Sequence, residues 1–232
     1  MKKKHSTRGN NVWVAIAAYH EVEVVADVVA GIKRAGYRLV VVDDGSTDGT
    51  AAAAEKAGAC VVRHPINLGQ GAALQTGIDF ALAQSADVIV TFDADGQHRA
   101  SEIARLVNAL KEQGADFALG SRFLGGSVGM LASRRWLLRA ATLFTRMSTG
   151  MRLSDTHNGL RAMTRRGVKK IHLRQNRMAH ASEILHQIAD SKLKYVEVPI
   201  TITYTAYSRA KGQKLGDFLA ILIDLFARRL QR

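Results

Sequence analysis

Residues 88–98 read Val-Ile-Val-Thr-Phe-Asp-Ala-Asp-Gly-Gln-His, an apolar and β-branched run that stops at two carboxylates, Asp93 and Asp95. Residues 88–92 predict a buried strand, because such side chains suit a covered pleated surface and the run is too short for a buried helix. The same order, apolar run and then polar cluster, recurs upstream. Residues 12–18 end at Tyr19-His20-Glu21, residues 39–42 at Asp43-Asp44-Gly45-Ser46, and residues 60–63 lead into Asn67-Leu68-Gly69-Gln70-Gly71. Residues 21–35, 47–57, 71–83 and 100–112 carry helical spacing between and after these runs. Strands alternating with helices imply right-handed crossovers and an α/β, Rossmann-like fold whose central sheet is mostly parallel. Ligands of such sheets bind beyond the carboxyl ends of the strands, so the polar clusters gather on one rim.

Residues 117–120 predict a further strand, after which regularity fades into a mobile loop at Gly125, Gly126 and Gly129. Residues 134–149 return to helical spacing with arginines among the leucines, a basic amphipathic segment. A helix over 182–189, strands over 194–198 and 200–204, a loop at 212–214 and an amphipathic helix over 218–229 complete the chain. This divides it into a basic start (1–11), one domain (12–215) and a terminal helix (216–232) that suits either the core or a membrane interface.

At 232 residues and 47% hydrophobic content the chain can bury one core unaided. Cys60 is the sole cysteine, which excludes an intrachain disulfide and a thiolate zinc site and fits a reducing cytoplasmic setting. No run reaches the roughly 18 apolar residues of a membrane span, and the basic start lacks a signal peptide's apolar core. The net charge is +13, and from Arg122 to Arg177 the only acid is Asp155. A basic half of this kind attracts phosphates of substrates, lipid headgroups or nucleic acid. Aromatic content of 6% and the lack of a recognisable binding module argue against nucleic acid.

Asp93 and Asp95 on one turn, with Gln97 two residues on, are hard oxygen ligands suited to Mg²⁺ or Mn²⁺, ions that bridge substrate phosphates. Gly69 and Gly71 follow the third strand without a GxGxxG companion, which disfavours a dehydrogenase; they serve a tight turn, close approach of a ligand, or both. Ser46, Thr47 or Asp48 suffices to cap the following helix, leaving Asp44 to hydrogen-bond a nucleobase or ribose. His98 is read as support for the metal turn.

The segments AAYHE, VVDDGSTDGT, NLGQGAAL, FDADGQH, GSRF, DTHNGLRAM and VEVPITITYTAYSRAKG together resemble family 2 glycosyltransferases, above all the dolichol- and polyprenyl-phosphate sugar synthases, over residues 12–215. The resemblance implies a glycosyltransferase-A fold and an inverting hexosyltransferase with a GDP- or UDP-linked sugar donor. It implies nucleotide contacts from Ala17, Tyr19, Glu21, Asp44, Gly71, Asp93 and Ala94, and a Mg²⁺ or Mn²⁺ ion on Asp93, Asp95 and Gln97. Arg122 matches the family's arginine at the donor and acceptor phosphates, and Arg135, Arg139 and Arg209 stand for further acceptor-phosphate positions. Asp93, Asp95 and Arg122 carry the catalytic expectation. The sequence departs from the family at Ala17, at His20, at Arg99-Ala100 and at Asn158-Gly159-Leu160, and lacks the C-terminal membrane helices many members carry.

A lipid-phosphate acceptor, already anionic, needs no general base, and the expected partners are then a nucleotide sugar, that lipid and an anionic membrane surface, with the protein peripheral at the cytoplasmic face. A saccharide hydroxyl acceptor requires proton removal, for which Asp155, His157 and Glu183 are the candidates.

Overall fold

The computed structural model describes residues 11–175, 180–205 and 207–208. Four strands, β1 (Val12–Ala18), β2 (Arg38–Asp43), β3 (Cys60–Arg63) and β4 (Val88–Asp93), stand where the apolar runs predict them. They alternate with α1 (Val25–Arg34), α2 (Thr50–Lys56), α3 (Gln70–Ala83) and α4 (Ser101–Gln113). Then follow β5 (Phe117–Val128), α5 (Ala132–Thr149), β6 (Arg161–Thr164), the single turn α6 (Arg165–Val168), α7 (His180–Ser191) and β7 (Tyr195–Thr203). The seven strands form one sheet in the order β3-β2-β1-β4-β6-β5-β7, parallel except for β6, which runs antiparallel to β4 and β5.

The period of two along each strand separates two apolar layers. Val14, Ile16, Val41 and Val90 pack with Val29 and Ile32 of α1 and Ile103 and Leu106 of α4. Trp13, Ala15, Val40 and Ile89 pack with Leu74 and Ile78 of α3 and Ile184, Leu185 and Ile188 of α7. Each fully buried aliphatic side chain contributes about 1.5–3 kcal/mol, so two such layers hold the rim as a rigid platform. Among the described residues no helix is long and apolar enough to cross a membrane.

Three expectations change. Gly125 and Gly126 belong to β5 rather than to a mobile loop, because the β7 backbone crosses close at a register shift between Ser121 and Gly126; a Cβ on Gly125 would overlap the Ile200 carbonyl. The strands expected over 194–198 and 200–204 are one strand, β7, in which Pro199 is tolerated because β7 is an edge. Finally, β6 was not foreseen: a four-residue strand between basic residues carries too little pattern to read. The expected terminal helix over 218–229 and loop at 212–214 lie outside the described residues.

Candidate active site

The carboxyl ends of β1, β2 and β4, the loop before β6 and the start of α7 enclose a cavity of about 430 Å³. Ala17, Tyr19, Glu21, Asp44, Asp93, Ala94, Asp95, Gln97 and Arg122, all expected at the site, line it. Gly71 does not; it sits beneath, where a Cβ would overlap the Gln175 carbonyl, so the absence of a side chain serves packing of the chain leading to α7. Arg134 lines the cavity, with its guanidinium 5.1 Å from the centre of the Tyr204 ring, whereas Arg135 is exposed and Arg139 lies over Phe123. Arg209 lies outside the described residues.

Asp44 is a tie-point as well as a lining group. Its carboxylate accepts from the backbone N–H groups of Leu68 (3.0 Å) and Gly69 (2.7 Å), and pairs with His64 Nδ1 at 2.7 Å. The other ring nitrogen of His64 meets Thr76 Oγ1 at 3.0 Å, so an imidazole that the sequence did not mark fixes both the loop and the carboxylate. On the opposite lip, Glu21 accepts a 2.7 Å hydrogen bond from the Tyr207 hydroxyl, and burial together with that bond raises the Tyr207 pKa. The chain after β7 is thereby drawn over the end of β1.

The acidic turn has the electrostatics of a cation site. Burial and the charge of Asp93 push the Asp95 carboxyl up to about 6. Burial opposes ionisation of Asp93 too, but a hydrogen bond from His98 and the fields of His98 and Arg161 prevail, and its pKa falls below the ordinary value. Two carboxylates that cannot both ionise cheaply are what a divalent cation relieves. Among the described residues no three His, Cys, Asp or Glu side chains form a ready-made cage. The pair instead fits Mg²⁺ or Mn²⁺, which complete their shells with phosphate oxygens and water. Gln97 steadies Asp95 through its backbone N–H (3.0 Å) and its amide nitrogen (2.5 Å) rather than facing it with its oxygen.

Space for the Asp93 carboxylate comes from Gly159, whose carbonyl is held by the Thr91 hydroxyl at 2.6 Å; a Cβ at 159 would collide with both carboxylate oxygens. Gly159→Ala is therefore expected to weaken Mn²⁺ binding at the turn by about a hundredfold, since displacement of a site group by an ångström costs that much. Calorimetric titration alongside far-UV circular dichroism checks this; native affinity would show that the carboxylate has room elsewhere.

Arg122 is buried in a network. Its Nε donates to Asp155 Oδ2 at 2.6 Å, Nη1 to the Tyr204 hydroxyl at 2.7 Å, and Nη2 to the His157 carbonyl. Burial works against its charge, but Asp155 and Tyr204 outweigh that and raise its pKa. A guanidinium has five N–H donors, so one on each terminal nitrogen is left for a ligand. His157 is pushed down to about 4 by burial and by the charges of Arg122 and Arg161. His157, Asn158, Arg161 and His180 line the cavity without having been expected there as ligand contacts. For His157, Asn158 and Arg161 the signal was the DTHNGLRAM segment, whose strand β6 sets Arg161 opposite Thr91, whereas His180 opens α7, outside that segment.

A model described as Glycosyl transferase family 2 matches residues 13–172. The chain is 34% identical over 203 residues to the polyprenol monophosphomannose synthase of Mycolicibacterium smegmatis, covering 82% of this chain and 76% of that one. It is 29% identical over 223 residues to the UDP-N-acetylglucosamine–dolichyl-phosphate N-acetylglucosaminyltransferase of Methanococcus voltae, covering 87% and 89%. A glucosyl-3-phosphoglycerate synthase from Mycobacterium tuberculosis, solved with Mn²⁺, UDP-glucose and phosphoglyceric acid, superposes with a TM-score of 0.73 at 21% identity, over 96% of this chain and 79% of that one. That superposition identifies the glycosyltransferase-A fold, and with the family match over most of the sheet it follows that the chain belongs to glycosyltransferase family 2 and is a glycosyltransferase.

Proposed function

We propose that the protein transfers a sugar, with inversion, from a nucleoside diphosphate donor to a polyprenyl phosphate. The observation that carries this reading is the state of the three groups that the sequence marks as bases for a hydroxyl acceptor. Asp155 is buried and bound to Arg122. His157, at about 4, is a weak base at neutral pH. Glu183 accepts from the backbone N–H groups of Arg174 and Gln175 and does not line the cavity. A phosphate acceptor needs none of them.

Asp93 and Asp95 would hold a divalent ion, which when bound neutralises the departing diphosphate. Glu21 and Asp44 line the cavity and would meet the nucleoside, and Arg122 and Arg134 would offer donors that align a phosphate nucleophile. The relatives named for transfer to dolichyl phosphate and for polyprenol monophosphomannose synthesis support the acceptor class. Donor base and sugar are tested by presenting GDP- and UDP-linked sugars with Mn²⁺ and a short polyprenyl phosphate. Labelled sugar entering the organic phase is the expected result; transfer only to a saccharide would overturn the acceptor assignment.

The outer face of α5 supports a membrane-borne acceptor. Trp136 is 73% exposed, Leu143 and Met147 are also exposed, and Arg135, Arg139 and Arg146 stand on the same helix, which has no acid. An exposed tryptophan with apolar neighbours and arginines suits an anionic bilayer surface, at about 1 kcal/mol per cation. Arg135→Glu/Arg139→Glu is expected to cut binding to phosphatidylglycerol vesicles at least about tenfold while leaving nucleotide affinity intact. Flotation read beside calorimetry decides it, and unchanged vesicle binding would remove α5 from the membrane contact.

A further inference from the structure

Arg161 is 3% exposed and Asn158 4%, yet both line the cavity. A buried cation normally has a hydrogen-bonded partner, because leaving water costs it several kcal/mol. Among the described residues the Arg161 guanidinium has no hydrogen bond or ion pair; it feels the fields of Asp93 and Asp155. Asp155 is held by Arg122, and Asp93 by His98 at 3.3 Å and Gln70 at 3.4 Å. Asn158 is similar. Its Oδ1 accepts from the Leu160 N–H at 3.0 Å, which fixes the amide, and its Nδ2 is buried without a partner. Burial lowers the Arg161 pKa only to about 10, so the group is cationic at neutral pH.

We infer that Arg161 and Asn158 form a phosphate-binding subsite in this cavity, one that takes an anionic oxygen of the donor diphosphate or of the lipid phosphate. The pair offers donors and a positive charge, and its one acceptor, Asn158 Oδ1, is already engaged by the Leu160 N–H, which favours an anionic oxygen over a hydroxyl. Their setting explains how they are held. Arg161 extends from β6, pinned between β4 and β5, and Asn158 stands in the loop that also carries Gly159, so backbone ties position both before any ligand arrives. Unmet donors on rigid elements are poised for an anion and cost little reorganisation when it binds.

This subsite rests on the nucleotide-sugar reading for its two natural ligands, but pyrophosphate, which carries neither base nor lipid, tests it alone. Asn158→Asp keeps the oxygen that accepts from Leu160 and replaces the free donor with an acceptor; Arg161→Met keeps bulk and removes the charge. Calorimetry of the full-length protein with Mn²⁺ is expected to show both variants binding pyrophosphate at least about tenfold more weakly than wild type. Arg161→Met should also melt no lower than wild type without ligand, since a desolvated cation has been removed. Binding within twofold of wild type in both variants overturns the inference, as does a wild type that binds no pyrophosphate. So does an Arg161→Met protein that melts several degrees lower while retaining affinity, because Arg161 would then be a structural counter-ion. Wild-type binding of pyrophosphate but of neither UDP nor GDP sinks the donor reading and leaves the subsite. Loss of UDP or GDP affinity in Asn158→Asp assigns the donor, and a raised KM for short polyprenyl phosphate assigns the acceptor; neither change would overturn the proposal.

Discussion

Asp95→Asn is expected to abolish turnover by at least about a thousandfold and, at pH 8, to make the ligand-free protein more stable than wild type. The two effects have one cause. In the folded protein the Asp95 carboxyl is raised from 3.8 to about 6 by burial and by Asp93. A carboxyl raised on folding contributes its full stability below its unfolded value, near 3.8, and that stability is lost as pH rises through about 6. At pH 8 the ionised pair therefore works against the fold, by about 1–3 kcal/mol for a shift of this size. Asparagine removes the repulsion and, with it, the charge that would grip the cation. The gap in melting temperature should be largest at pH 8 and close towards pH 4, and Mn²⁺ should stabilise wild type but not the variant. A variant less stable than wild type at pH 8 would show that the turn is not strained by like charge.

The legible part of this protein is the part where strand ends do the work. Parallel strands expose their carboxyl ends on one rim, so Tyr19, Glu21, Asp44, Asp93 and Asp95 announce themselves as the first polar residues after apolar runs. The same rule fails for β6, because an antiparallel insertion brings its amino end, Arg161, to that rim. Arg161 was then one cation among many between Arg122 and Arg177. Arg135 was expected at the cavity and its neighbour Arg134 lines it instead, a difference of helix phase. Adjacent residues on a helix point about 100° apart, and the start of α5 depends on how much chain β5 uses in its bulge, which no local pattern records. His64 was hidden for a different reason: it acts through Asp44 from the end of β3 rather than touching the cavity.

Arg122→Met should lose both stability and activity, and a second substitution should separate them. Removing the guanidinium leaves Asp155, 3% exposed, as an uncompensated buried anion, at a cost of about 3–5 kcal/mol. Asp155 also accepts from the backbone N–H groups of residues 122 and 157, so its neutral isostere is the right relief: Arg122→Met/Asp155→Asn removes the charge and retains an acceptor. The double variant should recover about half or more of the lost stability in chemical denaturation. Activity should not recover, and both variants should remain at least about a hundredfold below wild type, because the two N–H groups of Arg122 left for a phosphate are absent from each. Transfer measured beside denaturation separates the roles. If the double variant regains transfer along with stability, Arg122 only braces the loop at Asp155, and alignment of the phosphate falls to Arg134 and Arg161, the other arginines that line the cavity among the described residues.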